Sequence, residues 1–69
     1  MSVVKVVRII GQSPNSFMEA VNNAVQETTS TVRNVKSFQV DQLSGEVGSD
    51  GQISNYRASV DIAFVVEHK

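Results

Sequence analysis

Between Ile53 and Glu67 apolar and polar side chains alternate, and this alternation limits the architecture more than any other feature of the chain. The even positions Ala58, Val60, Ile62, Phe64 and Val66 are apolar. The odd positions begin polar at Arg57, Ser59 and Asp61 and turn apolar at Ala63 and Val65. A period of two over such a length predicts a strand with one face buried. Val35 to Val47 alternates too, and "GSDG" (Gly48 to Gly51) supplies the glycines and aspartate of a hairpin turn between the two runs.

The hairpin register follows from pairing like with like. For Phe38 and Val40 to share a face with Ala58, Val60 and Ile62, paired residue numbers must sum to an even number. That requires a connection with an odd number of residues, such as a three-residue loop with a glycine bulge. Ser37, Gln39 and Asp41 then share the other face with Arg57, Ser59 and Asp61.

Upstream, residues 2 to 10 are rich in valine and isoleucine on both parities, so this strand expects cover on both sides. Gly11 and Pro14 are expected to end it. Ser16 and Glu19 form the S-x-x-E capping box of a helix start. Phe17, Ala20, Val21, Ala24, Val25, Thr28 and Val32 then recur at helical spacing, giving an amphipathic helix of about four turns. The threonine-rich "ETTSTV" leaves its C-terminal end undefined. Strand, helix, strand, strand is an α+β order: a βαββ unit with a three-stranded antiparallel sheet wrapped on one helix, residues 1–69 forming a single domain.

One helix covers one sheet face. Val35, Leu43, Ala63 and Val65 are expected on the bare face, and exposed apolar surface of this kind marks subunit contacts. Size argues the same way. A chain of 69 residues is marginal alone and needs disulfides, a metal or a partner subunit. It has no cysteine, and its single histidine is His68, which removes disulfides, thiolate sites and a one-chain histidine zinc site. A homo-oligomer is the remaining remedy.

The charge balance, six basic and seven acidic residues for a net charge of -1, carries no nucleic-acid signature. No apolar run approaches the roughly 20 residues that span a bilayer. "MSVVKVVRII" is interrupted by Lys5 and Arg8 and is expected to be strand rather than a signal segment. A cytoplasmic protein is the expectation, with neither nucleic acid nor membrane as partner.

Catalytic chemistry finds no constellation. Serines are plentiful, but no histidine within the domain serves them as a base. Asp41 and Asp61 are expected to be solvated or paired with Arg57, and Asp50 to serve the turn. "GSDG" has too few acidic ligands for a helix–loop–helix calcium loop, and "GQSPNS" lacks the lysine and glycine spacing of a phosphate loop. Phe17, Phe38 and Phe64 are expected in the core, while Tyr56 is equally compatible with an interface and with plain surface. What remains is a semi-polar sheet face around Ser37, Gln39, Asp41 and Arg57, and a binding or assembly role rather than an enzyme.

The segments "GQSPNSF", "AVNNAV", "TVRNVKSFQV" and "NYRASVDIAFVVE", in that order, resemble the dodecin family over essentially the whole chain. The resemblance implies a small flavin-binding protein, taking riboflavin or FMN, assembled as a hollow homododecamer. It also implies where the flavin would lie: members that bind it carry a tryptophan at the position of Ser37 and a glutamine at that of Arg57. This chain has neither. Loss of a stacking ring costs about 1–3 kcal/mol, roughly tenfold to a hundredfold in affinity. The chain is similar instead to members known as calcium dodecins, which lack the tryptophan and have an arginine after the tyrosine. Calcium is therefore the alternative ligand, with Asp41, Glu46 and Asp61 as the carboxylates that chemistry allows and no ligand set assigned.

Overall fold

A computed structural model describes residues 2–67, with side chains from 3 to 66; His68, on which the zinc argument turned, lies outside the described residues. The elements are β1 (Ser2–Ser13), α1 (Phe17–Thr31), β2 (Val35–Val47) and β3 (Ile53–Glu67), the expected βαββ order of an α+β fold. Both pairings are antiparallel, and β3 is central in the order β1-β3-β2.

β1 runs three residues beyond Ile10 because Gly11 does not end it. Gly11 pairs with Ala58 within the sheet, and a Cβ there would overlap the Ala20 carbonyl oxygen. The glycine is needed where the helix backbone crosses the strand. Ser13 closes the strand and is buried. Its Oγ accepts from the backbone N–H of Asn15 at 2.9 Å and of Ser16 at 3.4 Å, and donates to the Glu19 carboxylate at 3.0 Å. The capping box is therefore only half as expected. Ser16 Oγ accepts from the Glu19 N–H at 3.0 Å, but the Glu19 side chain holds Ser13 and Asn15 rather than the Ser16 backbone.

α1 buries Ala20, Val21, Ala24 and Thr28 against Ala58, Val60 and Ile62 of β3, with Val7, Ile9, Val25 and Val35 packed at the margin. Val60 and Ile62 are wholly removed from water, each contributing about 1.5–3 kcal/mol. The threonine-rich end stays helical to Thr31 because its hydroxyls bond back along the helix. Thr28 donates to the Ala24 carbonyl at 2.9 Å, Thr29 to Gln26 at 3.0 Å and Ser30 to Glu27 at 2.7 Å. Asn34 then turns the chain with a φ of 63°, a conformation asparagine tolerates better than most residues, and its carbonyl accepts from the Val65 N–H at 3.0 Å.

The hairpin connection holds five residues, 48–52, an odd number as expected but longer than three. Gly51, with a φ of 81°, donates to the Gly48 carbonyl at 2.9 Å, and Asp50 Oδ1 accepts from the Gln52 N–H at 3.0 Å, the expected turn role. From Ser37 to Val40 the even-sum register holds: Phe38 lies opposite Ile62 and Val40 opposite Val60. Irregularities at Lys36 and Asp41 break it on either side, so Val35 pairs with Phe64 and Leu43 with Ala58. Val35 and Leu43, expected on the bare face, consequently lie on the helix side. Ala63 and Val65 do occupy the bare face, opposite Val6 and Val4 of β1.

The extents are 56 × 19 × 13 Å, so the molecule is much longer than its 15-residue helix, about 22 Å at 1.5 Å per residue. Phe17 meets Tyr56 edge to face, with ring centroids 4.9 Å apart and planes at 82°, so Tyr56 belongs to the chain's own packing. Phe38 does not join the core as expected; it is more than half exposed.

Candidate functional site

The strand registers place Val4, Val6, Arg8, Ile10 and Gln12 of β1 on the bare face beside Asn55, Arg57, Ser59, Asp61, Ala63 and Val65 of β3. From β2 the same face receives Ser37, Gln39, Gln42, Ser44 and Glu46. Among the described residues no aromatic side chain belongs to this face. Phe38, Tyr56 and Phe64 fall on the opposite parity, and Phe17 is on the helix.

Ser37 is exposed and lies opposite Ala63, while Gln39 lies opposite Asp61. With Val6 and Phe38 these four residues line an open hollow of about 260 Å³. Two of the four expected site residues, Ser37 and Gln39, thus meet there. Arg57 does not. It sits six residues from Ala63 along β3, roughly 20 Å away at the usual strand rise, opposite Gln12 and Ser44. Ser37 and Arg57 share a face, as the register argument required, yet they do not share a site within one chain.

Arg57 is held near the hairpin. Its Nη2 lies 3.3 Å from Glu46 Oε1, and its Nε is buried without a hydrogen-bond partner. Glu46 also accepts from Asn55 Nδ2 at 3.4 Å, and the same Asn55 amide donates to Gln12 Oε1 at 2.9 Å. The expected pairing of Asp41 and Asp61 with Arg57 is therefore not what forms.

Their partner is Arg8, a residue that sequence reasoning used only to break an apolar run. Arg8 Nε donates to Asp61 Oδ1 at 2.8 Å and its Nη2 to Asp61 Oδ2 at 3.1 Å. The same Nη2 lies 3.5 Å from Asp41 Oδ1. One guanidinium thereby ties β1, β3 and β2 together across the bare face. Asp41 gets there because it is the extra residue of the bulge between Val40 and Gln42. The hydrogen bonds from Arg8 hold the Asp61 carboxyl below the usual aspartate range, and those same bonds raise Arg8. The available signal for Arg8 was its even parity, shared with Val4, Val6 and Ile10. It becomes informative only once the pairing of β1 with β3 is known.

The profile of the dodecin family matches residues 3–67. The chain belongs to the dodecin family. It is 38% identical over 64 residues to the calcium dodecin of Mycobacterium tuberculosis, a match covering 93% of this chain and 89% of that protein. The crystal structure of the Mycobacterium tuberculosis calcium dodecin, described as a calcium chelating antigen, superposes with a TM-score of 0.79 at 35% identity, covering 90% and 87% of the two chains. A Streptomyces coelicolor dodecin gives 0.91 at 29% identity, covering 99% and 96%. A Thermus thermophilus structure gives 0.92 at 25% identity over the full length of both. Dodecins bind small ligands and do not catalyse reactions, and this dodecin is a binding protein rather than an enzyme.

The ligands expected from the family can be set against this geometry. For a flavin ring, no aromatic side chain among the described residues alternates onto the bare face; Phe38 lines the hollow but alternates to the helix side, and Ser37 offers a hydroxyl where a stacking ring would be needed. Calcium takes six to eight oxygens. Among the described residues no three acidic or other metal-binding side chains gather into one group. Asp41 and Asp61 are occupied by Arg8, and Glu46 by Arg57. A single chain therefore fits neither group unaided.

Proposed function

We propose that this dodecin works as a cytoplasmic homo-oligomeric binding protein of the calcium type, with flavin excluded from its role. The observation that carries the reading is the bare sheet face onto which no aromatic side chain of the described residues alternates, joined to the sequence identity with a calcium dodecin. Flavin buffering, the reading that family resemblance puts first, gives way to the calcium alternative on those grounds.

Assembly, taken as dodecameric by resemblance, is supported by apolar side chains left in water on both sides of the sheet. Val4, Val6 and Ile10 are exposed on the bare face, and Phe38, Val40 and Leu43 on the helix side. A chain of this size does not leave so much apolar surface open without a partner. Since one chain does not gather enough carboxylates, a calcium site here takes its oxygens from more than one copy. Ser37 on β2 and Arg57 on β3, whose strand partners lie roughly 20 Å apart along the hairpin, would likewise meet only across a contact between copies. With Gln39 and Asp41 they remain the residues that would face a ligand held there.

The test is a pair of titrations on the assembled protein after chelator treatment. Equilibrium dialysis should show calcium retained, while riboflavin and FMN fluorescence should not be quenched at micromolar protein. Micromolar quenching of either flavin overturns the reading. So does a monomer mass by light scattering at micromolar concentration.

A further inference from the structure

On the helix side of the sheet the core stops short. Phe38, Val40 and Leu43 of β2 lie opposite Ile62, Val60 and Ala58 of β3, and only the β3 member of each pair is buried. The core that α1 does complete is small, since Ala20, Ala24 and Ala58 make up half of its six buried apolar residues. We propose that the helix-side strip of β2 is the surface on which a second copy of the chain seats, so that the core begun between α1 and β3 is finished between chains. The inference rests on the homo-oligomeric reading and deepens it by naming the contact.

Three observations choose the occupant and the way it docks. None of the β2 residues paired on this side, from Val35 to Gly45, carries a charge, whereas the bare face holds Arg8, Asp41 and Asp61. The strip therefore takes an apolar cover and offers a charged partner nothing. That cover continues a core, so it has to be at hand whenever the chain folds. Another copy meets that condition, and permanent interfaces of this kind resemble a domain core cut in half. The second observation concerns the edge. Register shifts at Lys36 and Asp41 leave only Ser37 to Val40 as regular ladder between them, and bulges and charged residues are what keep an edge strand from pairing with another strand. The copy consequently packs on the face of β2 instead of adding a strand to its edge. Third, the outward side of α1 is polar, with Asn22, Asn23, Gln26 and Thr29 exposed. The covering surface of the second copy is then part of its sheet and not its helix.

Because the chain has no cysteine, a single introduced thiol reports on this strip without interference. In the assembled full-length protein, Leu43→Cys should react with a maleimide at least about tenfold more slowly than Gln26→Cys on the outward side of α1, since the reagent reaches it only when the contact opens. Equal rates in a protein of oligomeric mass overturn the proposal and leave the homo-oligomer standing. Phe38→Lys, which puts a charge into the strip, should lower the mass seen by light scattering at micromolar protein, while Gln26→Lys should not. An unchanged mass for folded Phe38→Lys also overturns the proposal, and should that variant fail to fold, the two thiol rates decide. A monomer mass for the unsubstituted protein is the different failure that removes the homo-oligomeric reading itself.

Discussion

β2 and β3 carry the same alternation and meet with opposite fates. Phe38, Val40 and Leu43 lie directly opposite Ile62, Val60 and Ala58, on the same face of the same sheet. The three residues of β3 are 0% exposed, whereas their partners on β2 are 55%, 38% and 49% exposed. Side-chain pattern chooses the face; the helix chooses which strand on that face is covered. α1 sits on β1 and β3 and leaves β2 as an apolar edge strand whose burial the chain does not itself supply. The homo-oligomer proposed above would supply the missing cover from another copy.

The comparison breaks most sharply at its centre. Ile62→Ala should cost about 2–5 kcal/mol in urea unfolding, the range for emptying a filled core position. Phe38→Ala should behave differently in kind. Its cost should depend on protein concentration, because what it removes is association rather than the chain's own core. Equal concentration dependence for the two variants would show that β2 and β3 do not differ as the exposures imply. Next in size is Gly11→Ala, where the new methyl meets the Ala20 carbonyl. Overpacking of this sort costs about 1–3 kcal/mol, so the urea midpoint should fall with no change in subunit mass.

Much of this architecture was legible in residue order. The cap at Ser16 is written in a residue type with one physical use at a helix start, and the turn at Asp50 and Gly51 in types equally restricted. The even side of β3 announces the core because Ala58, Val60 and Ile62 repeat without exception. What was not legible is the set of three register shifts along β2, of which those at Lys36 and Asp41 matter most for the faces. Neither Lys36 nor Asp41 is a residue type that marks one, yet each shifts the register by a residue and moves Val35 or Leu43 to the other face. The ion cluster was hidden for a related reason. Arg8 and Asp61 are brought together by a β1–β3 pairing that spans the helix and β2, so no turn length fixes their register. Ser37 and Gln39 were expected on the bare face by reasoning on the hairpin alone, and of the four expected site residues they are the two that line the hollow.

A smaller effect sharpens the contrast from the bare face. Ser37→Trp places a ring where none of the described residues of that face has one. Flavin stacking on it should tighten binding about tenfold to a hundredfold over the unsubstituted protein, read by fluorescence quenching. An unchanged titration would mean that Arg57, not Ser37, is what closes the face to flavin.

The smallest effect belongs to Asp61, and its sign follows from the direction of the shift. Hydrogen bonds from Arg8 depress its pKa below the ordinary aspartate value of 3.8, so the unfolded chain takes up a proton at a higher pH than the native one. The pair therefore stabilises the fold fully above 3.8, and the contribution fades as pH falls through that value toward the depressed native pKa. Because the pair lies on the surface, solvent and salt screen it, and the slope is expected to be shallow. Urea midpoints followed from neutral pH into acid should show the unsubstituted protein losing stability across this window more steeply than Asp61→Asn. Added salt should narrow the difference. Parallel curves for the two proteins would mean that Arg8 holds Asp61 no more firmly than water does, and the bare face would then lack the contact that ties its three strands together.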